Sequence, residues 1–399
     1  MNILILTNKL PFPPRDGGSI ATFNMISGLN QAGNRVTCLA LNTNKHPYPA
    51  EEIPGLLGEQ VRFLGVDCDS TIRPLHLVAN LFFSRHPYIA RRFDIQDFRT
   101  ALGKLLKEES FDVVQLEGPY PGQYMDLVRK HSDARVSLRA HNVEHLIWQR
   151  KALHEKSPFK RWYLKNMARR LKRFELNVAR QADFLIPISD LDGSGFRKLG
   201  LQNPQLVIPA GLILENYPVT MPPADSSIYF IGALDWMPNQ EGLLWFLNRV
   251  FGRLLARLPD LRFHVAGRNA PGNFVKKLSH PSITFHGEVE DAVRFMQTYR
   301  VMVAPLLTGS GIRIKVLEGL ALGRPVVTTS AGIEGIPVQD YPCVAVTDDP
   351  EQFSSHVIRM LDMAADPELQ MKEARRFIGS NFDTFELSER LSRFYTMEG

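Results

Sequence analysis

The residues best suited to chemistry in this 399-residue chain cluster between positions 308 and 335, in the stretch TGSGIRIKVLEGLALGRPVVTTSAGIEG. The pattern predicts a glycine-rich loop, a short helix carrying Glu318, a strand at 325–329 and a second glycine turn. At Gly309 and Gly311 no Cβ holds an anion away from the backbone N–H groups. The following helix turns its own unsatisfied N–H groups to the same place, and Arg313 and Lys315 add two cations there. That combination suits a diphosphate. Glu318, further along the helix, is placed to accept hydrogen bonds from a ribose diol. A glycine loop with a basic pair is a weak motif alone. Its plainer uses are a capping or ion-paired Glu318 and a solvated helix face for Arg313 and Lys315.

Two further groups stand after expected strands. Pro14-Arg15-Asp16-Gly17-Gly18 follows the first, where Gly17 and Gly18 either admit a ligand or merely relieve a turn. His141, beside Asn142, follows a later strand and is either structural or a contact for a bound donor. His145 fits ordinary helix packing, and Asp235, Trp236 and Trp245 read as packing and capping residues. Nothing near the two histidines completes a metal site, so no metal is expected. The three cysteines, Cys38, Cys68 and Cys343, lie apart in apolar stretches and read as reduced, structural thiols, without zinc-type spacing.

The elements that must position these residues alternate. Apolar strands are expected at 3–6, 36–41, 61–64, 113–116, 136–138 and 184–188, separated by helical segments such as the one carrying Phe23, Ile26 and Leu29. Continuous apolar strands between helices indicate a parallel sheet covered on both faces. A connector at 208–227 with Pro209, Pro218, Pro222 and Pro223 breaks both periodicities. Strands then resume at 228–231, 263–266, 283–285, 301–305, 326–329 and 344–346. The expected fold is α/β, with two Rossmann-like doubly wound domains facing each other across a cleft and ligands at the carboxyl ends of the strands. The expected domains are residues 1–210 and 211–382, with a C-terminal helix at 383–399 packing back on the first.

Hydrophobic content of 44% and charged content of 22% are ordinary for a globular protein. The net charge of +5 fits a phosphate-bearing ligand or an anionic membrane, and no nucleic-acid module is legible. The N-terminus reads as a strand and not a signal peptide, and no apolar run approaches the roughly 20 residues of a membrane span. A cytoplasmic protein is expected.

The order of these motifs resembles the retaining glycosyltransferases of family 4, which have the GT-B fold. The resemblance rests on the 14–18 loop, His141-Asn142, Ser189-Asp190, Gly232, Gly267 and the phrase EGLALGRPVVTT, and it spans nearly the whole chain. It implies a nucleotide-diphospho-sugar donor held mainly by the C-terminal domain. The acceptor, a glycan, a lipid-linked or a small molecule, would lie on the N-terminal domain, with transfer needing no cofactor or metal. His141, Arg313 and Lys315 are then the catalytic candidates. Gly17, Gly18, Arg268, Ser310, Gly311, Ile312 and Glu318 are the donor-binding candidates. The family's pair of glutamates is incomplete, because Ser310 takes the place of the first and Glu318 matches the second. Ala233 and Asn239 stand where the family often has a phosphate-binding arginine and lysine, which passes that role to Arg313 and Lys315. These departures leave two alternatives open, a non-catalytic nucleotide-sugar-binding protein and a nucleotide-sugar epimerase of the same fold.

Residues 150–180 are rich in lysine and arginine, with Trp162, Tyr163, Leu164 and Phe174 interleaved. The plainer reading is a long solvated helix whose apolar side packs on the N-terminal sheet. The sharper one is a peripheral contact with anionic lipid at the inner face of a membrane.

Overall fold

A computed structural model describes residues 1–397 apart from 15, 45–46, 54–56, 59, 72, 85, 309–310, 339–340 and 363–366. It divides into two compact units, Met1–Gly211 with Thr384–Gly399, and Leu212–Asp383. The first unit holds β1 (Asn2–Thr7), β2 (Arg35–Thr43), β3 (Val61–Cys68), β4 (Val113–Glu117), β5 (Arg135–Ala140) and β6 (Phe184–Pro187). They form one sheet in the order β3-β2-β1-β4-β5-β6, every pair parallel. The second unit holds β7 (Ser227–Ile231), β8 (Arg262–Ala266), β9 (Ile283–Gly287), β10 (Val301–Ala304), β11 (Val326–Thr328) and β12 (Val344–Val346). Their order is β12-β11-β10-β7-β8-β9, again parallel throughout. Counted from its own first strand, each sheet has the same arrangement, and its order reverses between the first and fourth strands. Ligands of doubly wound sheets bind at the carboxyl ends beside that reversal.

The sheets form because their strands are apolar on both faces. Leu4 and Leu6 of β1 join one buried cluster with Val114, Leu116 and Leu138, while Ile3 and Ile5 join another with Val36, Cys38 and Ile186. Side chains alternate across a strand, so a run of apolar residues feeds both layers. In the second unit Ile228, Phe263, Val301, Val303 and Val327 meet Phe246 and Phe353 in one cluster.

The last helix, Thr384–Met397, returns to the first unit and packs on the helix Gly17–Gln31. The approach is close enough that a Cβ at Gly28 would fall 2.2 Å from Ser388 Oγ. Leu387, Leu391 and Tyr395 complete the cluster that contains Ile3 and Ile5.

Candidate active site

The reversal point of the first sheet gathers five polar residues that the sequence alone does not connect, Glu117, Arg139, Thr22, Gln115 and His141. Register sets Thr7 of β1 opposite Glu117 of β4, and Glu117 opposite Arg139 of β5. The Glu117 side chain is 2% exposed and that of Arg139 is 0% exposed, with Arg139 Nη1 3.1 Å from Glu117 Oε2. Thr22, from the helix Gly17–Gln31, donates its hydroxyl to the same oxygen at 2.9 Å. Gln115 Nε2 donates to Oε1 at 2.5 Å, and His141 Nε2 lies 2.6 Å from Oε2. Burial would raise the Glu117 carboxyl. The charges of Arg139 and His141, with hydrogen bonds from His141 and Thr22, outweigh it and hold the group well below the usual carboxylate range.

An ionised Glu117 accepts and does not donate, so the proton shared with His141 sits on Nε2. His141 is 21% exposed, and its Nδ1 is the ring nitrogen left for a ligand. Tyr395 of the last helix extends the network, donating to Gln115 Oε1 at 2.8 Å.

A second carboxylate pair begins three residues after His141. The helix Glu144–His154 has no side-chain cap of its own. Instead Glu175, from the helix Pro158–Gln181, accepts the backbone N–H of Glu144 at 2.8 Å and that of His145 at 3.2 Å. Its Oε2 also lies 2.5 Å from His145 Nδ1, so His145 is a buried hydrogen-bond partner of Glu175. Tyr120 donates to Glu144 Oε2 at 2.9 Å. Burial, offset in part by that hydrogen bond and reinforced by the charge of Glu175, pushes the Glu144 carboxyl up to about 7.

Gly17 and Gly18 are the first two residues of their helix and do not belong to the preceding loop. Asp16 caps the helix, accepting from Ser19 N at 3.0 Å, and is paired with Lys9 at 2.5 Å. Burial raises the Asp16 carboxyl, but Lys9 and the Ser19 bonds bring it down to about 2. Among the described residues a Cβ at Gly18 would meet only Asp16 Oδ1, at 3.5 Å, so their packing does not demand glycine there.

In the second unit the reversal lies between β7 and β10. The loop after β10 leads through Gly311 and Ile312 to the helix Ile314–Ala321, with Arg313 at the N-cap position and no side-chain cap. Gly311 has φ +79°, a backbone setting that favours glycine. Gly309 and Ser310 lie outside the described residues. The loop after β7 brings Trp236 to the same place, and Arg313 Cζ stands 5.3 Å from the centre of its ring. Trp236 is therefore more than the packing residue expected of it, whereas Trp245 does pack, edge-on against Phe353.

Lys315 is not isolated either. Its Nζ lies 2.6 Å from Glu318 Oε2, while Tyr217 donates to Glu318 Oε1 at 3.0 Å. Glu318 itself is buried, and with burial its charge pushes the Tyr217 hydroxyl well above the usual range. Asn239 donates to the carbonyl of Ala233 at 2.8 Å and so ties down the loop after β7. Arg268 follows β8, half-buried, and its carbonyl accepts from Leu234 N at 2.9 Å. Among the described residues, no group of three or more His, Cys, Asp or Glu is placed to hold a metal ion.

The predicted residues thus fall in both units, with Gly17, Gly18 and His141 in the first and Arg268, Gly311, Ile312, Arg313, Lys315 and Glu318 in the second. Sequence reasoning missed Glu117, Arg139, Thr22 and Tyr217. Glu117 and Arg139 leave a signal only once strands are paired, as opposite charges at the ends of neighbouring strands.

Comparisons with known proteins bear on the family and the fold. Residues 16–211 match the family described as glycosyl transferase 4-like domain, and residues 225–363 match glycosyl transferases group 1. A protein of Klebsiella pneumoniae described as an uncharacterized 44.6 kDa protein in the cps region is 21% identical over 96% of both chains. Sucrose-phosphate synthase from Thermosynechococcus elongatus superimposes with a TM-score of 0.73 at 14% identity, covering 99% of this chain and 98% of that one. HepE from Anabaena, solved in complex with UDP-glucose, gives 0.66 at 13% identity and covers 99% of each chain. The architecture is GT-B, two Rossmann-like units. With both units matched in order and the fold shared along their length, the chain belongs to the group 1 glycosyltransferases.

Proposed function

We propose that this glycosyltransferase is a retaining enzyme of family 4 that moves a sugar from a nucleotide-diphospho-sugar to a glycan, lipid-linked or small-molecule acceptor, without a metal. The observation that carries the reading is the β10 loop, where Gly311 in the left-handed region leads into a helix whose N-terminus no side chain caps, with Arg313 at its mouth. Backbone N–H groups of that kind neutralise a diphosphate, and an arginine fork adds paired hydrogen bonds. HepE, with its UDP-glucose, supports a UDP-sugar as the first donor to try.

In the transfer, the bond from the anomeric carbon to the diphosphate breaks and a bond to the acceptor oxygen forms on the same face. The acceptor's proton passes to the departing phosphate oxygen. Negative charge grows on that phosphate, where the Gly311 and Ile312 amides with Arg313 oppose it. Glu318 accepts from the ribose, and His141 presents Nδ1 to a sugar hydroxyl. Lys315 orients Glu318 and lends its charge to the phosphates. The chain works at the inner face of a membrane, where its basic N-terminal unit meets lipid.

The test is a screen of nucleotide sugars by thermal shift, since a ligand of the folded state raises the melting temperature. Transfer is then followed with the best donor, with and without EDTA, and the anomeric configuration of the product is read by NMR. Arg313→Ala with Lys315→Ala is expected to lower kcat far more than it raises KM, because charge at the leaving group grows during the reaction. A donor bound but never turned over would leave only a binding protein. Loss of transfer in EDTA, restored by magnesium or manganese, would overturn the metal-free reading.

A further inference from the structure

The helix Pro74–Phe83, in the first unit, is apolar on almost every side and turns a large part of that surface outward. Leu75 and Phe83 are 83% and 90% exposed, and Val78 and Phe82 are also largely open to solvent. At 100° per residue Leu75, Val78, Ala79, Phe82 and Phe83 share one face. The side turned to the protein carries Asn80, 8% exposed, whose Nδ2 donates to His86 O at 3.1 Å. Arg170, from the long helix Pro158–Gln181, fixes that side by donating to Asn80 Oδ1 at 3.0 Å and to Asn80 O at 3.1 Å. A soluble helix buries its apolar stripe, so a stripe held outward marks a surface meant to be covered.

The flanking residues say by what. The helix Pro158–Gln181 carries eight lysines and arginines against one acidic residue, Glu175, which is buried against His145. On its helical wheel Phe159, Trp162, Arg169 and Arg173 fall within about 100° of Arg170, on one side of it. Phe159 and Trp162 are 73% and 50% exposed, and Arg169 and Arg173 are exposed as well. Along one flank of the apolar helix lies a groove of about 610 Å³ lined by His76, Phe83, Arg91 and Arg92 among others. The acids in its wall are already paired, Asp69 with Arg73 and Asp94 with Arg99.

Apolar and aromatic side chains beside a dense positive field match the boundary between acyl chains and anionic headgroups. A second copy of this chain fits poorly, since pairing the apolar helices of two copies brings their basic helices toward each other. At ten residues the helix is too short to span a bilayer, which takes roughly 20. Among the described residues no helix is long and apolar enough to cross a membrane.

We infer that the helix Pro74–Phe83 is a lipid-inserting element, and that Arg91, Arg92, Arg169 and Arg173 hold the anionic phospholipid headgroups around it. This deepens the membrane contact proposed above, naming an apolar element that the basic segment 150–180 did not reveal. It rests on that contact and not on the transfer reaction.

The test is flotation of the full chain with vesicles of phosphatidylcholine, with and without phosphatidylglycerol, in the absence of donor and acceptor. Binding is expected only with phosphatidylglycerol and weakens as salt is raised. Phe82→Ser with Phe83→Ser should reduce partitioning by about tenfold or more, from the apolar area withdrawn from the bilayer. Arg169→Glu with Arg173→Glu should reduce it by a similar factor. Both variants are expected to keep the wild-type melting temperature, because the four side chains are exposed. No binding to anionic vesicles, equal binding to neutral ones, or binding that survives both variants overturns the inference. A wild-type dimer that Phe82→Ser with Phe83→Ser dissociates would overturn it in favour of self-association. Failure here leaves the glycosyltransferase reading untouched, because no substrate is present.

Discussion

In both units the strand order reverses between the paired first and fourth strands, but the chain puts different chemistry at the two places. In the first unit it buries an ionised carboxylate, Glu117, under Arg139, Thr22, Gln115 and His141. In the second it leaves a glycine-led loop and an uncapped helix N-terminus, with Arg313 against Trp236. The strand order supplies the location, and the residues at the strand ends decide the task. The network in the first unit holds Glu117 through four neighbours, although Arg139 Nε and Nη2 are buried without a hydrogen-bond partner, and it becomes costly when one member is removed. A set of backbone amides at a helix end costs little to leave alone and gains most from an incoming anion. Damage to the first site should therefore appear as lost stability, and damage to the second as lost binding.

The largest expected effect follows from Glu117→Ala, which leaves Arg139 buried without its counter-charge. Breaking such a pair costs about 3–5 kcal/mol, measured by urea unfolding of the first unit. Because the folded pKa of Glu117 is lowered, its contribution is present above the unfolded carboxylate value and lost as pH falls through the folded one. Wild-type stability should decline at acid pH by more than that of the variant. Near-normal stability in Glu117→Ala would remove the contrast between the two sites.

Glu318→Gln tests the other side. The amide can still accept from Tyr217, so the second unit should fold, while donor affinity falls by about 1.5–3 kcal/mol through loss of a charge-assisted hydrogen bond. Calorimetry with the nucleotide sugar found in the screen reads this directly. Unchanged affinity would remove Glu318 from the donor site.

The smallest effect is the most diagnostic of burial in the first unit. Glu144, with its carboxyl pushed up to about 7, makes the folded state bind a proton that the unfolded chain releases near 4. Stability should fall as pH rises from about 4 to about 7 and then level off. Glu144→Gln keeps an acceptor for Tyr120 and should raise stability at pH 8 by about 1–2 kcal/mol, with little change near pH 4. Parallel melting curves of wild type and variant at both pH values would show that Glu144 is not held in this way.

The strands were readable because a parallel sheet covered on both faces needs unbroken apolar runs, and stretches such as Val113–Leu116 or Val301–Ala304 have no other use. The phrase EGLALGRPVV was readable as a whole but mixes two kinds of residue. Glu318 borders the proposed ligand site, whereas Arg324 is fully buried, donating to Thr220 O at 2.7 Å and to Gln297 O at 2.9 Å. Glu117 was hidden because its partner Arg139 lies one strand away, and only register brings them together. Tyr217 was hidden for a related reason, since it sits in the proline-rich connector, where side chains give no periodic signal. The pairing of Lys315 with Glu318, three residues apart on a helix, was available from spacing, and an ion-paired Glu318 was among the plainer uses read from the sequence. The helix Pro74–Phe83 escaped because an apolar stripe ordinarily implies a buried one.

The last helix has a consequence for how the chain is made. Tyr395, fully buried, donates its hydroxyl to Gln115 Oε1 of β4 and accepts from the Ser137 hydroxyl of β5, so the interior of the first unit includes residues synthesised after the whole second unit. Everything from Leu212 to Asp383 can leave the ribosome and fold while that interior still lacks its final helix. The unit begun first is thus completed only after the second has been made, and the carboxylate network around Glu117 acquires its outer member once the helix Thr384–Met397 has been synthesised.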